Sequence, residues 1–351
     1  MRKHKFAIWA LIFFLPTFVF ILCPAVYVFL VDPLWQWDHQ WHLKRWHRSF
    51  NERLQKTNYL ASHRVNIDML IVGSSRSSYF NPEWLGTTNG FNYAVSSGKP
   101  QEFSTHINYV KKCSRQSLKL VLIESSFTGA LKLQNTFEMP STYINSAEDR
   151  PKKFRNLFSR SAYRLAREAR TSPVYNDYLL EGSRMNSYRY PYRRYENDDA
   201  KRKVIDYDVK TYRENVYSKE YDESFSQYIS DIHKEIGKSD FIVWTTPVSK
   251  QLLKLFYDMD KFTDYERWLR ELVAEFGQVY HFAYPNNITI NNASFNDAHH
   301  PTEKTAKQII GIIKEMRDSC TGENTEYGGI LLTSENIDYW IGVFYQQFAS
   351  L

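Results

Sequence analysis

The stretch that most limits the architecture is Ile67-Asp68-Met69-Leu70-Ile71-Val72-Gly73-Ser74-Ser75-Arg76. Apolar residues fill five of the six positions from 67 to 72, and the run stops on a glycine and two serines. A run that is uniform rather than alternating marks a strand buried on both faces, the habit of parallel sheets in α/β proteins. In that class the crevice beyond a strand's carboxyl end is where chemistry is placed. Gly73 permits a sharp turn there, so Ser75 is expected to present its hydroxyl to a crevice instead of the core.

A serine hydroxyl becomes a useful nucleophile when an imidazole takes its proton and a carboxylate holds that imidazole in the right tautomer. Both occur in Asn296-Asp297-Ala298-His299-His300-Pro301-Thr302, where Asp297 and His300 stand three residues apart and one turn presents both to the same partner. Pro301 favours an extended backbone at His300. Thr302 is placed to cap a helix whose Ala306, Ile309, Ile310, Ile313 and Met316 share one face. His299 is the neighbouring alternative base. The paired histidines also read as a polar helix start or half of a metal site, but no further ligands fall at suitable spacing. Neither a metal nor an organic cofactor is expected.

A Gly-Ser-Ser turn after the first strand, joined to Asp-x-x-His-Pro before a late helix, resembles the SGNH/GDSL hydrolase superfamily. The resemblance implies Ser75 as nucleophile, His300 as base and Asp297 as its orienting group. The family's second block, Asn-x-x-x-Ser-Gly, is matched with one extra residue by Asn92-Tyr93-Ala94-Val95-Ser96-Ser97-Gly98. That block implies an oxyanion hole made of the Ser75 amide and the amide of Ser97 or Gly98. The third block, Gly-x-Asn-Asp, is not matched: the strand expected over Leu118–Ile123 runs into Glu124-Ser125-Ser126-Phe127, with no asparagine.

Within the superfamily, the segments between Val279 and Asp338 are similar to membrane-anchored bacterial envelope proteins, a group that includes the teichoic acid D-alanylation and alginate O-acetylation proteins. That likeness implies a three-layer α/β/α sandwich with a mainly parallel, flavodoxin-like sheet. It also implies a serine esterase or O-acyltransferase acting on an acylated envelope glycan or related polymer, with a membrane-bound acyl-transfer partner as a candidate associate. A non-catalytic envelope assembly or binding protein that keeps the fold is the alternative. The implied location is the inner membrane, with the catalytic domain periplasmic or extracellular.

Residues 1–5 form a basic stub, and Phe6 to Val31 carries no charge over 26 residues. That length suffices to cross ~30 Å of hydrocarbon, so residues 6–31 are expected to be a transmembrane anchor in contact with the bilayer. Residues 32–63 read as a juxtamembrane linker, with tryptophans and histidines suited to a headgroup layer and a polar linker helix from Asn51 to His63. Residues 64–320 are expected to form the α/β domain. Its strands are expected at Phe91–Val95, Leu118–Ile123, Phe241–Trp244 and, as the last, Gln278–Phe282. Its helices are expected at Gln101–Lys112, Ser249–Tyr257 and Asp264–Phe276.

A long polar insert, about 128–238, interrupts this alternation and contains a tyrosine- and arginine-rich stretch from Arg184 to Tyr195. Segments of this kind serve as lids, binding loops or disordered excursions, and a solvated, tyrosine-rich helical cap with no ligand role is the other reading. Arg76, Asn92, Tyr190 and Arg193 are therefore candidate substrate contacts, the arginines suited to anionic groups. Residues 321–351 read as a tail helix with Ile337, Trp340, Ile341 and Phe344 on one face. The net charge of +6 is compatible with an anionic partner. No nucleic-acid recognition motif is present, and nucleic acid is not an expected partner. Cys113 and Cys320 are a candidate disulfide pair in an exported domain, although spacing alone leaves their meeting open.

Overall fold

The computed structural model describes residues 2–39, 41, 43, 46–48, 50–87, 89–133, 138–171, 179–181, 197–319, 323–324 and 328–351. In chain order its first elements are α1 (Arg2–Val31), β1 (Trp46–Arg48), α2 (Glu52–Ser62), β2 (Met69–Val72), β3 (Gly90–Asn92), α3 (Pro100–Cys113) and β4 (Leu120–Ser125). Then follow α4 (Pro140–Glu148), α5 (Arg150–Leu157), α6 (Arg160–Thr171), β5 (Leu179–Glu181), α7 (Asp198–Asn215), α8 (Phe225–Ile236) and β6 (Asp240–Thr245). The last are α9 (Lys250–Asp258), α10 (Phe262–Phe276), β7 (Gln278–His281), α11 (Glu303–Ser319), β8 (Glu323–Asn324), β9 (Gly329–Thr333) and α12 (Ile337–Ala349). The chain divides into two units: Met1–His63 with Ser141–Gly182, and Arg64–Pro140 with Ser183–Leu351.

In the first unit, Val28 and Val31 of α1 are buried with Ala162, Ala166 and Ala169 of α6. Alanines at that spacing leave α6 a smooth face on which a second helix can lie. The transmembrane anchor expected over 6–31 gains no support from the fold, because among the described residues no helix is long and apolar enough to cross a membrane. The end of α1 is committed to protein packing instead.

The helix expected from Asn51 to His63 is present, and its polar Gln55, Lys56, Thr57 and Asn58 are fully buried. Its polar side chains satisfy backbone that has no secondary structure of its own. Gln55 Nε2 donates to Pro33 O, Asn58 Nδ2 to Leu34 O and Ser62 Oγ to Gln36 O. Asp32 caps the same turn by accepting from the amides of Gln36 and Trp37. Burial raises its carboxyl to about 7 against those bonds, and burial likewise lowers the Lys56 ammonium to about 7 against the pull of Glu52.

The second unit holds a seven-stranded sheet in the order β3-β2-β4-β6-β7-β9-β8. The five strands from β3 to β7 are parallel, and their order, 2-1-3-4-5 in sequence, is that of a doubly wound α/β sheet. Met69, Ile71, Leu122, Ile242 and Trp244 point to one core, covered by Ala306, Ile309, Ile310 and Ile313 of α11. The alternate residues Leu70, Val72, Val121, Ile123 and Val243 are equally buried, so both sheet faces are covered.

Two expectations are corrected at the far edge and in the insert. Gln278–His281 is not the last strand, because β9 pairs antiparallel with β7, and β8 pairs antiparallel with β9. The 321–351 segment therefore completes the sheet before it becomes α12. The 128–238 insert ends in α8, whose buried Phe225, Ile229, Ile232 and Ile236 make it a helix of the core.

Candidate active site

The chain leaves β2 through Gly73 with almost no room. A Cβ there would overlap Ser77 Oγ and lie 2.6 Å from Glu124 Cβ, so only glycine lets the turn close over the end of β4. Glu124 then ties three strand ends together. Its Oε2 accepts the Ser74 amide at 2.6 Å, and its Oε1 accepts the Thr246 hydroxyl at 2.9 Å. This carboxylate stands where the family pattern has its unmatched third block, and it is buried.

Asn92, at the end of β3, fixes the other side of the turn. Its Nδ2 donates to the carbonyls of Ser77 and Phe80 at 2.9 and 2.8 Å, and its Oδ1 accepts the Ala94 amide at 2.8 Å. Asn92, expected as a candidate substrate contact, is fully buried, and its side-chain amide is engaged on the backbone of this turn.

The 296–302 segment is drawn into a tight loop, in which the Asn296 amide donates to His300 O and Asn296 Nδ2 to Pro301 O. Thr302 Oγ1 accepts the Thr305 amide and opens α11. Inside the loop, Asp297 Oδ1 accepts the amides of His299 and His300 at 3.0 and 2.8 Å. Asp297 Oδ2 lies 2.7 Å from His300 Nδ1, and His300 Nε2 lies 2.8 Å from Ser75 Oγ. Burial opposes ionisation of Asp297, but His300, through its charge and its hydrogen bond, and then His299 hold the carboxyl well below the usual carboxylate range. An ionised Asp297 makes Nδ1 the protonated nitrogen and leaves Nε2 to accept from the serine.

Ser75 opens into a cavity of about 530 Å³ that is also lined by Arg76, Ser97, Gly98, Tyr212 and His299. The two oxyanion-hole candidates of the second block differ. The Gly98 amide donates to Val95 O at 2.9 Å and is spent on the turn. The amides of Ser75 and Ser97 have no acceptor among the described residues, and Ser97 holds a left-handed φ of 50°. Gly98 packs flat on the first turn, where a Cβ would lie 2.5 Å from Gly73 O. Of the candidate pair, the geometry leaves Ser97.

Arg76 is buried beside the nucleophile, with Nη2 donating to Tyr212 Oη at 2.7 Å and Nη1 to Thr128 Oγ1 at 3.2 Å. Tyr212 and Asp208, four residues apart on α7, reach the site from the segment read as an insert. Asp208 Oδ2 accepts the Ala298 amide and lies 3.7 Å from His299 Nδ1. No motif marks these two residues, whose parts are set only by where α7 packs. Tyr190, Arg193 and Cys320 lie outside the described residues. Asp297, His299 and His300 bring three potential metal-ligand atoms within 4.8 Å of one another, but both nitrogens of His300 already face Asp297 and Ser75.

No protein-family model matches this chain, and no curated protein matches it. Among solved structures it is similar to a chain described as "a putative platelet activating factor from Streptococcus pneumonia", at 9% identity and a TM-score of 0.37. The match covers 77% of this chain and 92% of that one, a likeness too slight to carry an argument.

Proposed function

We propose that this protein is an SGNH-like serine esterase or O-acyltransferase. The observation that carries the reading is the unbroken chain from Ser75 Oγ through His300 to Asp297, with links of 2.8 and 2.7 Å. In the reaction, Ser75 Oγ attacks an ester carbonyl carbon while its proton passes to His300 Nε2. The resulting oxyanion meets the Ser75 and Ser97 amides, each worth ~3 kcal/mol to a transition state. Collapse breaks the ester bond, and the departing alcohol takes the proton from His300. Water in an esterase, or a sugar hydroxyl in a transferase, then attacks the acyl-serine, gives its proton to His300 and returns Ser75 to its starting form.

The residue-level resemblance extends the proposal to an acylated glycan or related polymer of the bacterial envelope as substrate. It also extends to a membrane-bound location through α1, whose Phe14, Phe18, Phe20 and Ile21 are exposed. Alkaline extraction of membranes tests the location: release of the protein as a peripheral component rejects an anchor. The test of the chemistry is labelling of the full-length protein with a fluorophosphonate, followed by peptide mapping. Modification at Ser75 that is lost in His300→Ala is the expected result, and a folded protein that takes no label rejects the reading.

A further inference from the structure

Arg76 follows the nucleophile directly and is only 4% exposed, yet no carboxylate among the described residues lies within ion-pair distance of it. A guanidinium stays charged at every physiological pH. Its two recorded partners, the Tyr212 and Thr128 hydroxyls, are neutral. Burial disfavours the Arg76 charge and Tyr212 and Glu124 offset that, but Glu124 acts only at a distance, its oxygens being turned to Ser74 and to Thr246. Buried Arg76 Nε has no partner. Arg76 also borders a void of about 20 Å³ with Phe127, Tyr217 and Phe256, and that is room for a single water. A water there satisfies a hydrogen bond but adds no charge, so among the described residues Arg76 has compensation from the Glu124 carboxylate only at a distance and no direct ion pair.

The catalytic cavity supplies what Arg76 lacks among the described residues, namely space for an anionic partner in direct contact with it. Half-buried Lys99 and Lys219 line it together with Arg76 and His299, and no aspartate or glutamate does. A concave surface of one sign concentrates ligands of the other. We propose that this cavity is an anion subsite, in which Arg76, with Lys99 and Lys219, pairs with a carboxylate or similar oxyanion of the substrate, so that Ser75 acts on an ester of an acidic molecule. The inference rests on the serine-hydrolase reading for its reaction, but its binding half can be measured without turnover.

For the reaction, the full-length protein is assayed on 4-nitrophenyl acetate, mono-4-nitrophenyl succinate and 4-acetoxybenzoate, each rate divided by that of the uncatalysed ester. The second ester carries its carboxylate on the acyl side and the third on the leaving-group side, so the preferred one tells which part of the substrate is acidic. One charged ester is expected to exceed the neutral one in kcat/KM by about tenfold or more. Arg76→Gln collapses that preference and Arg76→Lys restores part of it, because lysine keeps the charge and loses the fork. Lys219→Glu, at a less buried position, keeps the test open if Arg76 variants fail to fold, and it too is expected to reduce the preference.

For binding, Ser75→Ala is titrated with succinate and with inorganic phosphate by calorimetry, and the titration is repeated with Arg76→Gln or Lys219→Glu added. Binding that disappears in the double variants supports the subsite even if the wild type turns over no ester, and that combination removes only the hydrolase reading. Ester turnover without charge preference, together with no anion binding, overturns the subsite and leaves the hydrolase reading standing.

Discussion

Asn92 and Gly98 bracket the second sequence block, and both brace it through backbone contacts, although Gly98 also lines the catalytic cavity. Asn92 holds the carbonyls of Ser77 and Phe80 and the amide of Ala94. Asn92→Ala therefore removes three buried hydrogen bonds, although Ser77 O keeps the Phe80 amide, and is expected to cost about 2 kcal/mol or more in denaturant unfolding. The rate of labelling at Ser75 should fall with it, since the turn after the nucleophile loses its brace. Gly98→Ala sets a Cβ 2.5 Å from Gly73 O, where neither backbone can yield without moving the Ser97 amide. Its expected signature is lower kcat with an intact far-ultraviolet spectrum. Asp297→Asn removes the charge that fixes the His300 tautomer, and a loss of ~10⁴ in kcat is expected on any ester the wild type hydrolyses. A loss of only a few fold would mean that His300 does not serve as the base.

At the scale of elements, the parallel strands and the two catalytic blocks were legible because each rests on local pattern: apolar runs ended by glycine, and Asp, His and Pro at fixed spacing. Glu124 was not legible as a tether, although its place was marked by the missing asparagine. Only the packing of β4 between β2 and β6 brings its carboxylate to Ser74 and Thr246. Glu124→Ala leaves the Ser74 amide buried without an acceptor, a cost of about 1–3 kcal/mol. Glu124→Gln should recover most of it, with the amide oxygen on Ser74 N–H and the amide nitrogen donating to Thr246. An unfolding midpoint for Glu124→Ala equal to that of the wild type would show that the tether contributes nothing. Polar α2 reads as a linker helix in sequence, which cannot reveal that residues 33–36 need its donors. Strand β9 was misread as tail because five residues beside a glycine carry too little pattern to separate a strand from a helix start. Tyr212 lay beyond sequence reasoning altogether, since nothing in α7 announces the catalytic cavity.

For the whole molecule, acid is the condition that separates the buried histidine of the core from the catalytic carboxylate. His281 is fully buried at the end of β7, and burial lowers its imidazole to about 3 from an ordinary 6.5. A closed chain of donors fits the neutral ring: the Phe282 amide donates to Thr245 Oγ1, Thr245 to His281 Nδ1, His281 Nε2 to Tyr265 Oη, and Tyr265 to Ala283 O. A second ring proton, on Nδ1, would displace the Thr245 hydroxyl hydrogen from its acceptor in that chain. Below pH 6.5 the unfolded chain binds this proton and the native chain refuses it, so stability falls with pH until about 3. The slope is up to ~1.4 kcal/mol per pH unit. Asp297, held low, has the same sign, but its contribution is whole above its ordinary 3.8 and is lost only as pH falls further. Asp32, raised to about 7, has the opposite sign in the other unit: its contribution is whole below 3.8 and is lost as pH rises towards 7. The His281 contribution is therefore best read as a difference, by urea unfolding of wild type and His281→Gln at several values between pH 7 and pH 4. The variant should be less stable at pH 7, and the gap should narrow steadily towards pH 4, because glutamine has no proton to refuse. Parallel curves would mean that the native ring takes up its proton as readily as the unfolded one, and the neutral chain from Phe282 to Ala283 would have to be abandoned.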